Sequence, residues 1–132
     1  MTHDDQPIRD LLQRFARAFT TGDGNGAAQC WEVPALVIAD DGSRAVSTLA
    51  EVAAFFGGAA QQYTSRGITG TRPDVRCVEW HTAKLASVTV RWPYLDAQGR
   101  ELPQSESSTY VVRIGNDGAR ICAVLMQGVV GG

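Results

Sequence analysis

The spacing of the hydrophobic residues changes once along this chain, near Ile68, and that change limits the folds it can adopt. Before Ile68 apolar residues recur at steps of three and four, the spacing of amphipathic helices. After it they alternate with polar residues, the spacing of strands. Helices followed by a run of hairpin-connected strands are typical of an α+β domain with an antiparallel sheet. The length of 132 residues fits one such domain.

Two long helices are predicted in the first half. The first begins around Pro7 and ends at Gly22, which can adopt the left-handed conformation that closes a helix. Its apolar stripe consists of Ile8, Leu11, Leu12, Phe15 and Phe19. The other follows a capping box formed by Thr48 and Glu51. Between them the sequence predicts a short helical turn up to Trp31 and a strand opening at Pro34.

Two strands near the end of the chain are predicted to carry the polar groups of the interior. Residues 105–114 place Glu106, Ser108 and Tyr110 on one face together with Val112 and Ile114. In residues 120–129, simple alternation places Ile121, Ala123, Leu125 and Gln127 on one face and Cys122, Val124 and Met126 on the other. This last strand is apolar on both sides, so both of its faces are predicted to be covered.

The stretch from Gln13 to Ser43 resembles, without a gap, the same segment of the ketosteroid isomerase branch of the NTF2-like superfamily. The resemblance extends over nearly the whole chain and is looser across the sheet. It implies an α+β cone, with three N-terminal helices packed on a strongly curved antiparallel sheet, formed by a single domain over residues 1–132. The predicted interior of the cone contains Phe15, Phe19, Trp31, Phe56 and Leu125.

The resemblance also shows which catalytic residues are missing. In those isomerases an aspartate moves a proton while a tyrosine and a protonated aspartic acid hold the developing oxyanion. The oxyanion tyrosine aligns with Phe15, the general base with Ala39, and the second acid with Tyr110. Phenylalanine cannot donate a hydrogen bond and alanine cannot accept a proton. The chain is therefore predicted not to be a true ketosteroid isomerase.

Asp40 and Tyr110 are the candidate catalytic residues that remain. A bulge at the strand end would bring Asp40 to the base position; otherwise it is a turn residue that caps local backbone N–H groups. Tyr110 would place a donor in the pocket, or would bond a carbonyl of the core. Trp31 is either a core residue or part of a ligand platform. The predicted ligand pocket consists of Phe15, Phe19, Trp31, Val37, Phe56, Leu125 and Gln127.

Composition and charge exclude several functional classes. The net charge is −2 and the basic residues are scattered, without the patch that nucleic-acid binding requires. No apolar run approaches membrane-spanning length, and the N-terminus is acidic. Cys30, Cys77 and Cys122 are far apart and are predicted to be buried, reduced thiols. We therefore expect a cytoplasmic protein with no cofactor, no metal, and neither nucleic-acid nor membrane partners.

Three functions are compatible with these features. The first is binding of a small apolar molecule in the cone. The second is proton-transfer catalysis of the isomerase, cyclase or dehydratase kind, resembling the SnoaL-like cyclases. The third is a protein-interaction or oligomerisation module. The two-sided apolar character of the last strand also predicts a homodimer through the outer face of the sheet.

Overall fold

The computed structural model describes residues 4–131, apart from the side chains at 60 and 130. The helices and strands, in chain order, are α1 (Gln6–Thr21), α2 (Gly24–Ala28), β1 (Trp31–Ala39), β2 (Gly42–Val46), α3 (Leu49–Ser65), β3 (Gly70–Thr71), β4 (Asp74–Trp80), β5 (Leu85–Leu95), β6 (Glu101–Gly115) and β7 (Gly118–Gly131). The helices pack on a curved, open sheet, which confirms the predicted α+β cone.

The helix ends follow from local sequence. Gly22 closes α1 in the left-handed region at φ 71°, and the last carbonyls of the helix accept hydrogen bonds from the N–H groups that follow. At the start of α3 the Thr48 hydroxyl accepts a 3.2 Å hydrogen bond from the Glu51 N–H and lies 3.2 Å from its carboxylate. Both termini are those predicted, because capping depends on neighbouring residues alone.

A close approach fixes α2 against α3. A Cβ added at Gly24 would lie 2.2 Å from the Ala53 carbonyl oxygen, so only glycine fits there. Gly57 and Gly58, in the middle of α3, have open space around the position of a side chain. Gly24 of α2, rather than Gly57 or Gly58 of α3, therefore allows the close backbone contact between the two helices.

The sheet is mixed rather than purely antiparallel. Its order is β2-β1-β7-β6-β5-β3, with β4 also paired to β5. All pairings are antiparallel except the one between β1 and β7, which is parallel. The expectation of a wholly antiparallel sheet is wrong at this pair, because hairpin signals predict only neighbours in sequence and β1 joins the last strand.

A bulge at Cys122 reverses the faces along β7. Val112 pairs with Ile121 and Val111 with Ala123, so Cys122 has no counterpart on β6. Ile121 is fully buried, and after the bulge the interior positions are Val124 and Met126. The predicted interior position of Leu125 is wrong: the bulge turns it to the outer face, where it is 45% exposed.

The three cysteines are all free thiols, as expected. Cys30 is buried and Cys122 half-buried. The expectation of burial is wrong for Cys77, which is exposed. Cys77 adjoins a register irregularity between Val75 and Cys77 on β4, a strand with only one neighbour in the sheet.

Candidate functional site

A cavity of about 640 Å³ lies between α1, α3 and the inner face of the sheet. Most of its wall is apolar, and its rim is formed by exposed residues of the β1–β2 hairpin and of α3. Six of the predicted site residues contribute to the wall: Phe15, Phe19, Trp31, Val37, Phe56 and Tyr110. They come from α1, β1, α3 and β6.

The middle of the cavity is a cluster of aromatic rings around Phe15. Its ring meets Phe56 edge-on at 5.0 Å between centroids, Trp31 at 6.2 Å and Tyr110 at 6.3 Å. Edge-to-face contacts at these distances are favourable. The residue that occupies the oxyanion-tyrosine position is thus the central residue of an apolar cluster.

Tyr110 faces the cavity but is already hydrogen-bonded to another side chain. Its hydroxyl oxygen accepts a 2.9 Å bond from Nε1 of Trp92 on β5. Burial raises the pKa of the Tyr110 phenol, so the group stays protonated at physiological pH. Its partner is therefore an indole, rather than the backbone carbonyl considered as one alternative.

Gln127 and Leu125 lie outside the cavity wall. Ser108 pairs with Met126 and Ser107 with Gly128, so Gln127 sits in a second bulge of β7 and is exposed. The predicted convergence of Gln127 with Tyr110 is wrong, because the bulge at Cys122 has already reversed the alternation. Val124 and Met126 take those places in the wall.

Asp40 also lies outside the cavity. It is an exposed residue of the tight turn between β1 and β2, in which Ala39 pairs with Gly42. The turn alternative is the one the structure adopts, and the predicted inward position is wrong. The neighbouring Asp41 lies at the cavity rim, as do Arg44 and Glu51.

A polar cluster that the sequence analysis did not single out lies in the wall of the cavity. The hydroxyl of Tyr63, on α3, donates a hydrogen bond to Oε1 of Glu106 on β6. The Tyr63 ring is 5.5 Å from that of Tyr94, on β5, between centroids. We call Tyr63, Glu106 and Tyr94 the Glu106 cluster. Two sequence signals could have found it: Glu106 shares the predicted face of Tyr110, and Tyr63 follows Phe56 at helical spacing.

The two phenols of the Glu106 cluster hold their protons firmly. Burial, and then the neighbouring Glu106 carboxylate, raise the pKa of Tyr63 to about 12. The same two causes, in the same order, raise the pKa of Tyr94. Tyr94 is only 4% exposed, and its hydroxyl has no hydrogen bond of normal geometry within residues 4–131.

Trp31 carries another buried polar atom in the same wall. Its Nε1 is buried and has no hydrogen-bond partner in the described part of the chain. Buried polar atoms are almost always paired in folded proteins, so each exception calls for an explanation. Trp31 and Tyr94 both line the cavity as residues, and each has one such atom that is buried from solvent.

The described residues contain no cluster of His, Cys, Asp or Glu side chains that could hold a metal ion. In the same part of the chain, no helix is long and apolar enough to cross a membrane.

Solved structures with the same fold include several proteins of unknown function. A cystatin-like domain from Nostoc punctiforme PCC 73102 is 25% identical, with a TM-score of 0.70 over 96% of this chain and 77% of that one. An NTF-2-like protein from Shewanella oneidensis MR-1 is 16% identical, with a TM-score of 0.68 over 92% of this chain and 96% of that one.

A ketosteroid isomerase-like protein from Erwinia carotovora atroseptica SCRI1043 is 13% identical, with a TM-score of 0.66 over 95% of this chain and 96% of that one. Identities this low show the shared fold alone. A comparison with curated proteins gave no match. The family model described as "NTF2-like protein (DUF6841)" matches residues 4–129, nearly the full length. The chain therefore belongs to this NTF2-like family.

Proposed function

We propose that this protein binds a small, mostly apolar molecule in the cavity of its cone. The observation that carries the proposal is the cavity itself, about 640 Å³ in volume, with a mainly apolar wall and a few polar groups. Ligand sites in proteins typically have volumes of roughly 300–1,000 Å³ and this kind of lining. Protein cores are close-packed and contain few voids larger than a water molecule. An open space of this size therefore favours a binding cavity over an ordinary core.

The test fills the cavity from α3. Ala59 lines the cavity, whereas Ala54 is exposed on the same helix and lies outside the wall. We expect the neutral dye Nile red to bind the wild-type protein and the Ala54→Trp control alike, by fluorescence titration. Ala59→Trp should weaken binding at least about tenfold, because an indole would occupy the ligand space. Equal affinity for the two variants would refute the proposal.

A second candidate is proton-transfer catalysis in the same cavity, favoured by the Glu106 carboxylate. A carboxylate beside apolar walls is a suitable general base, and Glu106 lines the cavity. This arrangement does not reproduce the isomerase site, because Phe15 and Ala39 occupy the positions of its oxyanion donor and base.

We expect no turnover of unconjugated 3-ketosteroids near isomerase rates. Loss of one oxyanion donor alone typically costs about 100–1,000-fold. Deuterium uptake next to the carbonyl of 2-tetralone, followed by NMR, tests the more general chemistry. Uptake that requires Glu106, and is lost in Glu106→Gln, would support the second candidate over simple binding.

We also propose a homodimer through the outer face of the sheet. Leu36 and Leu125 are 40% and 45% exposed and lie on the adjacent strands β1 and β7, where Ile38 pairs with Leu125. An apolar patch of this kind also suits the third function, an interaction module. We expect Leu125→Lys to be monomeric by light scattering and the wild type dimeric at micromolar concentration. A monomeric wild type would contradict the proposal. We also propose that the protein is cytoplasmic.

A further inference from the structure

The hydrogen-bond capacity of the Glu106 cluster is mainly acceptor capacity. Tyr63 has committed its only hydroxyl hydrogen to Glu106 Oε1, which leaves its oxygen free only to accept. A carboxylate accepts through both oxygens and donates through neither. A ligand group that satisfies this cluster must therefore bring donors, and a primary ammonium brings three.

The net negative charge of the cavity also favours a ligand with an ammonium group. Glu106 forms no ion pair with any described residue; the described acidic partners of ion pairs are Glu32, Asp74, Asp96, Glu101 and Asp117. The charged residues of the wall and rim are Asp41, Glu51, Glu106 and Arg44, three carboxylates and one guanidinium. Arg66 lies 5.8 Å above the Tyr63 ring centroid rather than against the carboxylate. A half-buried carboxylate without a counter-ion favours a positive ligand.

Aromatic rings lie next to the Glu106 cluster. The Tyr63 ring lies 5.3 Å from that of Phe19 and 5.5 Å from that of Tyr94, between centroids. Trp92 faces the cavity from the β5 position that pairs with Glu106. Ring faces attract cations that lie within about 6 Å of the ring centroid, and they attract them more strongly where water is excluded. Together with the carboxylate they form a suitable site for an ammonium group, and an unsuitable one for an anion.

We propose that the Glu106 cluster binds the protonated amine of a small, mostly apolar ligand, an inference that rests on the proposed function of the cavity. The ammonium donates hydrogen bonds to the Glu106 carboxylate and to the Tyr63 oxygen. The apolar body of the ligand lies against the rings around Phe15. Ligands with a carboxylate at the same place are disfavoured by repulsion from Glu106.

Three probes with one skeleton test the assignment: 2-naphthylmethylamine, 2-naphthylmethanol and 2-naphthoate, titrated calorimetrically at neutral pH. We expect the amine to bind at least about tenfold more tightly than the alcohol, and the carboxylate to bind most weakly. Glu106→Gln should remove the preference for the amine over the alcohol. Its urea midpoint, compared with that of the wild type, shows whether the variant is folded. Glu79→Gln removes the same charge at an exposed position outside the cavity and should keep the preference.

Two outcomes would overturn the inference, and Nile red separates it from the proposed function. If amine and alcohol bind equally, or if Glu106→Gln keeps the preference, the amine assignment is wrong although the cavity binds ligands. If none of the three probes binds, the assignment is also wrong. Nile red binding with its loss in Ala59→Trp would then uphold the proposed function, whereas the absence of Nile red binding would end both.

Discussion

The middle of the cavity and its Glu106 cluster are built from different chemistry. Around Phe15, four aromatic rings pack edge-on with centroid distances between 5.0 and 6.3 Å. At the Glu106 cluster a carboxylate and two phenols lie in the wall, and one phenol has no hydrogen bond of normal geometry within residues 4–131. The first region contributes mainly packing energy, and the second contributes polar groups that are incompletely used. Stability and ligand recognition should therefore respond to substitutions in different regions.

The largest effect is expected in the aromatic middle. Phe15 is 5% exposed, and Phe15→Ala should lower the free energy of unfolding by about 3 kcal/mol, the lower end for a buried phenylalanine. The lower end applies because part of the Phe15 ring already faces the cavity rather than other side chains. Urea denaturation measures the change.

Phe55 provides the matched control. It is 53% exposed on α3, and Phe55→Ala should cost about 1 kcal/mol or less. Equal losses for the two variants would mean that the rings around Phe15 contribute no special packing.

Tyr110 and Tyr94 allow a finer comparison of stability between the two regions. Of these two hydroxyl groups, only that of Tyr110 has a hydrogen bond of normal geometry. Tyr110→Phe would leave Nε1 of the buried Trp92 without its 2.9 Å partner and should cost about 1–3 kcal/mol. Tyr94→Phe removes a hydroxyl without such a bond and should change the free energy of unfolding by less than about 0.5 kcal/mol. Chemical denaturation of both variants is the measurement. A similar cost for Tyr94→Phe would show that its hydroxyl already has a partner.

The sequence predicted the fold and the inner face of β6, but it did not predict the inner face of β7. Along β6 the alternation holds without interruption from Glu106 through Tyr110 to Val112, so parity alone placed these residues on one face. On β7 the bulge at Cys122 adds one residue and exchanges the faces. No turn residue or proline marks that bulge, so the errors at Leu125 and Gln127 have one cause.

The position of Glu106 was predicted, but its partners were not. Tyr63 lies on a helix and Tyr94 on another strand, and their meeting depends on how α3 crosses the curved sheet. Periodicity describes one element at a time and contains no information on that crossing. The parallel pairing of β1 with β7 could not be predicted for the same reason, because no hairpin connects these two strands.

After the losses in Phe15→Ala and Tyr110→Phe, a smaller loss of stability is expected in alkali, and it originates in the Glu106 cluster. Burial and the Glu106 carboxylate raise the pKa of Tyr63 from 10.0 to about 12. Above pH 10 the unfolded chain releases the Tyr63 proton while the folded protein retains it, so the folded state binds more protons and stability falls as pH rises. This contribution is complete below about pH 10 and is lost progressively up to about pH 12. It should amount to about 1–2 kcal/mol, because solvent around the half-buried side chain screens part of the interaction.

Urea midpoints measured across this range should fall less steeply in Tyr63→Phe than in the wild type. The raised pKa values of Tyr94 and Tyr110 act in the same direction and leave a residual slope. Identical slopes in the two proteins would mean that burial and the Glu106 carboxylate do not hold the Tyr63 phenol in its protonated form.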